Sequence, residues 1–115
     1  MDTWKETVLG QSVQVLASPL DDGWDIGIFG GCRTHVGAVT LAQPDGSEQT
    51  MERSGHRDSH ISRRWAVRLS QVLGVPVCVR CGIHYDGATA EQIRTIVAAC
   101  DGMLENVIRQ LSGEI

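Results

Sequence analysis

No apolar run in this 115-residue chain approaches the roughly 20 residues that a bilayer span requires, so no membrane association is expected. Basic excess is also missing. Ten Lys and Arg stand against fourteen Asp and Glu, a formal net charge of −4, which excludes a global field that draws in nucleic acid. No segment repeats at a fixed period, and none is of low complexity. No G-x-G-x-x-G opens a helix and no Walker pattern occurs, so the usual nucleotide loops are absent. No G-x-S-x-G elbow precedes a helix either. Ser54, Ser59 and Ser62 stand near histidines only in sequence, which is poor evidence for a triad, a spatial arrangement. The opening MDTWKETVLG is acidic and polar, unlike a secretory signal. A cytoplasmic location is therefore expected, with the four cysteines as reduced thiols. The length suits one domain, residues 1–115, able to bury a core without a metal or disulfide staple.

Periodicity predicts an α+β fold. Residues 11–18, 24–29 and 34–42 alternate as strands, and their short connections predict an antiparallel meander. Pro44 to Gly55 reads as a polar, turn-rich loop. A helix is expected from Asp58 to Leu73, with Ile61, Trp65, Leu69 and Val72 as its apolar stripe and Gly74 as its stop. Residues 75–84 read as a fourth strand. On it Val75, Val77, Val79, Cys81 and Ile83 share one apolar side, while Cys78, Arg80 and His84 point the other way. Thr89 and Gln92 form a capping box. It opens a second helix with Ile93, Ile96, Val97, Cys100, Leu104, Val107 and Leu111 on one face. The order β-β-β-α-β-α predicts a four-stranded mixed sheet with both helices packed on one side. The other side must then meet water, a ligand or another subunit.

Cys78 and Cys81 have C-x-x-C spacing, but within a strand positions three apart face opposite ways, so the sulfurs diverge. No helix N-terminus supports a thiolate there. Cys100 reads as a core thiol and Cys32 as a bystander in a turn.

The stretch GHRDSHISRRW (55–65) is denser in chemistry. His60 projects away from the Ile61–Trp65–Leu69 stripe, toward Arg64 and Arg68. His56 lies four residues earlier, at a spacing that lets two imidazoles converge on a metal, and Asp58 can complete the site or orient a ring. The simpler reading is a polar loop with Asp58 as helix cap. His84 ends the fourth strand beside Asp86. His35 begins the third strand, on the face of Gly37, Val39 and Leu41. Three histidines at element termini suggest one shared site at an end of the sheet, with zinc, iron, manganese or nickel all compatible. Gly27, Gly30, Gly31 and Gly37 thin the sheet. They read either as turn and bulge chemistry or as a shelf for a flat ligand, with Arg33 available to a phosphate. Arg63 and Arg64 either solvate the helix or bind phosphate.

THVGAVTLA (34–42), GHRDSHISRRWAVRLSQVLGVPVCV (55–79) and GIHYDGATAEQIRTI (82–96) together resemble the LpdD-like prenylated-flavin chaperone domain, over roughly residues 20 to 111. The resemblance implies a fold similar to proteasome-assembly chaperones, one that commonly dimerises, so a homodimer is expected. It implies a non-catalytic carrier that binds prenylated FMN and helps deliver it to an apo-decarboxylase of the UbiD class, the kind that includes gallate decarboxylases. A flavin prenyltransferase would then be the source of the cofactor. By position, GHRD nominates His56, Arg57 and Asp58, and GIHYDG nominates His84 and Asp86. The residues themselves add Gly30, Gly31, Arg33, His35, Arg63 and Arg64 as cofactor contacts. They also add His56, His60 and His84 as ligands of a divalent ion that could bridge protein and phosphate. Two other functions fit the residues: an assembly or dimerisation module without a small ligand, and a small enzyme using a histidine-bound metal.

Overall fold

In a computed structural model, residues 1–55 and 57–113 are described. The elements run β1 (Asp2–Val8), β2 (Gln11–Pro19), β3 (Trp24–Gly31), β4 (Arg33–Ala42), β5 (Glu48–Glu52), α1 (Ser59–Leu73), β6 (Val77–His84) and α2 (Ala90–Leu111). They form one mixed sheet in the order β1-β2-β3-β6-β4-β5, with α1 and α2 packed on the same face.

The expected α+β class and one-sided helical layer are present, but the sheet has six strands, not four. Both additional strands lie at edges, where one neighbour is water and polar residues are tolerated. β1 pairs antiparallel with β2 through a two-residue turn, Leu9-Gly10, whose φ values of 50° and 79° are the positive ones a type I′ hairpin needs. Trp4 and Val8 turn inward from it to the core. β5 lies within the segment expected to be a loop. It pairs with β4, and its Thr50 hydroxyl meets that of Thr40 at 2.9 Å.

The antiparallel meander is also corrected. β2 and β3 pair as expected, but β4 does not lie against β3. β6 runs between them, parallel to β3 and antiparallel to β4. The connection at Gly31-Cys32 arches over the end of β6, where the Cys32 N–H donates to the His84 carbonyl at 2.7 Å. Gly31 has φ +86°, and a Cβ there would overlap that same carbonyl. β6 can run between two strands because its inward side is wholly apolar: Val77, Val79 and Cys81 all lie under the helices.

The core joins Val13, Val15, Ile26, Ile28, Val77 and Val79 of the sheet to Trp65 and Leu69 of α1 and to Ile96, Cys100, Leu104 and Val107 of α2. Trp65 is fully buried, and its indole N–H finds no acceptor among the described residues. Burial pushes the Cys100 thiol up to about 12. Gly74 ends α1 in the left-handed conformation as expected. The capping box opens α2, with Gln92 N–H donating to Thr89 Oγ1 at 3.1 Å and Thr89 N–H to Gln92 Oε1 at 2.9 Å. No described helix is long and apolar enough to cross a membrane.

Candidate functional site

α1 runs into β6 through a short turn, and α2 leaves β6 through another, so both helices begin beside the C-terminal end of β6. The gap between their first turns is a cavity of about 530 Å³. Its apolar wall is Ile61, Ile83, Tyr85, Ile93, Ile96 and Val97, and its polar groups are Arg57, Asp58, His60 and His84. Such a volume, mostly apolar with a few polar groups, is typical of small-molecule sites. Four nominated residues from two distant parts of the sequence thus meet in one place.

Asp58 stands at the N-cap position of α1, yet its side chain makes no cap. The first helical N–H, that of Ser59, is satisfied by Glu52 Oε2 at 2.8 Å instead. The Asp58 carboxylate turns inward. Its Oδ2 accepts from His35 Nε2 at 2.7 Å, and its Oδ1 accepts from the Ile83 N–H at 2.9 Å. The Cys81 thiol also points at Oδ1, at 3.8 Å. Burial raises that thiol's pKa, and the neighbouring carboxylate adds to the rise, so Cys81 stays protonated and donates.

His35 reaches Asp58 because β4 is irregular. The pairing of β4 with β6 shifts register between Thr34 and Ala38, and a bulge re-aims the side chains it carries. His35 was expected on the face of Val39 and Leu41. It does border a shallow depression with Phe29, Thr34 and Val36, but its ring reaches the carboxylate at the helix end. Two glycines make room. A Cβ on Gly37 would overlap the Asp58 carboxylate, and one on Gly82 would overlap the His35 carbonyl. Gly82, absent from the glycines read in the sequence, was the available signal for this close crossing.

A second histidine–carboxylate pair lies nearby. His84 Nε2 donates to Asp86 Oδ1 at 2.8 Å, Arg33 Nη2 lies 3.6 Å from the same oxygen, and the His35 and His84 rings are 5.9 Å apart. Asp86 lines a smaller neighbouring cleft with Cys32 and Tyr85. Tyr85, which the sequence reading did not single out, anchors the region by donating to the Val8 carbonyl at 2.7 Å. Burial raises its pKa, so it remains a phenol.

Other nominated residues lie outside the cavity. Arg63 pairs with Glu48 at 3.0 Å and Arg64 with Asp101 at 2.7 Å. Both border an open groove along α1 that also includes His60 and Arg68. Gly30 is small because β2 crosses it, with Ser12 and Val13 occupying the place of a Cβ. Neither it nor Gly31 lines the cavity. His56 lies outside the described residues, so the expected histidine triad with His60 and His84 is not described. Among the described residues no three His, Cys, Asp or Glu side chains gather as a metal site. Cys78 and Cys81 diverge as expected, half-buried and fully buried respectively.

Comparison with known proteins places the chain among chaperone domains by sequence and by fold. Residues 7–112 match the family model described as prenylated flavin chaperone LpdD-like domain. Protein LpdD of Lactiplantibacillus plantarum is 25% identical over 116 residues, covering 96% of this chain and 85% of that protein. A chain from the crystal structure of a chaperone complex for yeast 20S proteasome assembly superposes with a TM-score of 0.58 at 17% identity, covering 98% of this chain and 96% of that one. At that identity the last match speaks to fold alone.

Proposed function

The chain belongs to the LpdD-like prenylated flavin chaperone family, and from that premise we propose that it binds prenylated FMN in the cavity between the two helix starts and hands it to an apo-decarboxylase of the UbiD class. A chaperone domain has a client protein; the decarboxylase is the client proposed here, and a flavin prenyltransferase the source of the cargo. The observation that carries this reading is that the cavity combines a branched aliphatic wall with the polar side chains of Arg57, His60 and His84. A prenylated flavin likewise combines a large ring system with a phosphate. Two further features favour an anion beside these polar groups. The first turns of α1 and α2 both border the cavity, so their helix dipoles favour negative charge there. Arg57 adds a fixed cation with planar donors. The site is open on one side, as a carrier requires if its cargo is to leave.

His56, His60 and His84 would be the ligands of a divalent ion bridging to the phosphate. Equilibrating the protein with prenylated FMN with and without chelator tests this; unchanged affinity after metal removal sinks the bridge. The main test is direct. Under anaerobic conditions prenylated FMN is titrated into the protein, and the loaded carrier is mixed with apo-decarboxylase. Binding followed by recovered decarboxylation is expected, and Arg57→Ala should weaken binding about tenfold or more, the scale of one charged hydrogen bond. Absence of binding, or recovery no faster than with free cofactor, would overturn the proposal.

A second reading has its own observation. On the sheet face away from the helices Val39, Leu41 and Met51 are exposed, and Val36 is exposed beside the bulge. Such a patch suits a protein surface, and a homodimer through this face is the companion proposal. Sedimentation of wild type against Leu41→Lys tests it; two monomers would refute it.

A further inference from the structure

α2 carries its apolar stripe one turn farther than the core requires. Ile96, Cys100, Leu104 and Val107 are buried on that stripe. Ile93, one turn earlier, remains 47% exposed and lines the cavity. Helix propensity does not ask for a β-branched residue there. A hydrophobic staple is a possible structural use, since Ile93 is the fourth helical residue and Ala88 precedes the cap. Ala88 is too small to cover it, as the exposure attests. Ile61 and Ile83 belong to the same cavity wall. Tyr85 is the one aromatic member of that apolar wall, with its hydroxyl committed to Val8, and the imidazoles of His60 and His84 belong to the cavity's polar groups.

Such a wall has little to offer a bare flavin, which stacks on rings and presents hydrogen-bonding edges. It suits a ligand that carries a branched aliphatic group. The geometry points to Ile93 as the specificity determinant of the cavity: it recognises the isoprenoid-derived part of the cargo and so separates prenylated FMN from FMN. This inference rests on the cargo reading above, and it adds that the chaperone selects matured cofactor over precursor. Burial of two or three additional aliphatic carbons corresponds to selectivity on the order of ten- to a hundredfold.

The test compares the dissociation constants of FMN and anaerobically prepared prenylated FMN for wild type, Ile93→Val and Ile93→Asn. Circular dichroism checks that the variants fold, as expected for an exposed position. Wild type should prefer prenylated FMN by at least tenfold. Ile93→Asn should lose most of that preference by weakening prenylated FMN alone, and Ile93→Val should keep it. Equal affinity of wild type for the two flavins, or equal weakening of both by Ile93→Asn, overturns the inference and leaves the cargo reading standing. Failure of prenylated FMN to bind wild type removes both.

Discussion

Two histidine–carboxylate pairs sit side by side at the end of β6, with contacts of 2.7 and 2.8 Å. Geometry alone would call them equivalent. Their surroundings make them different. The side chains of His35 and Asp58 are 15% and 6% exposed, those of His84 and Asp86 36% and 69%. A carboxylate removed from water must have every lone pair engaged, and Asp58 is held from three directions. Asp86 keeps its water whether or not His84 is present. The first pair therefore holds the bulge of β4, the end of β6 and the start of α1 together. The second adjusts the mouth of the cavity without supporting the fold.

The largest expected effect comes from breaking the buried pair on one side. His35→Ala leaves Asp58 as a buried charge without its main partner and should cost about 3–5 kcal/mol, measured by urea unfolding. Gly82→Ala attacks the same junction through the backbone, since the His35 carbonyl occupies the space a Cβ needs. It should destabilise by about 1–3 kcal/mol, the usual range for overpacking. A third measurement uses the thiol next to the buried pair. The pKa of Cys81 is raised in the folded state above its ordinary value of 9.0. Its contribution to stability is thus complete below pH 9 and is lost as pH rises beyond it. Unfolding free energy should fall above pH 9, and Cys81→Ala should make that fall shallower. A slope unchanged by the substitution would show that the thiol is not held neutral there. In native protein Cys32, exposed beside Asp86, should alkylate readily while Cys81 does not. The smallest effect belongs to the exposed pair: Asp86→Asn should change stability by less than about 1 kcal/mol. If it rivals His35→Ala, burial does not distinguish the pairs.

The same contrast explains what the sequence could disclose. Features set by local pattern were readable: the Gly74 stop, the Thr89–Gln92 box, the two sides of β6 and both helical stripes apart from Val72 and Ile93, which stay exposed at the ends of their stripes. His60 could be placed off the core for the same reason. Features set by distant pairing were not. Nothing in TLAQPDGSEQTME says that EQTME will form an edge strand, because an edge strand need not alternate. The insertion of β6 between β3 and β4 is a competition among strands that no single segment records. Asp58 has the residue type and position of a helix cap, and only the fold reveals that Glu52 has taken over that role. The cavity was half legible. Arg57, Asp58, His60 and His84 were nominated and are gathered, whereas Arg63 and Arg64 are occupied by Glu48 and Asp101. The aliphatic wall went unread because its members look like ordinary core residues.

Trp65 offers a practical use of the core. It follows Ile61 of the cavity wall by one helical turn, and with no solvent contact and no hydrogen-bond acceptor among the described residues its indole should emit at the blue end of the tryptophan range. Flavins absorb in that region. Arrival of such a cargo would dim this emission by energy transfer and departure would restore it, so loading and handover could be timed without attaching a dye.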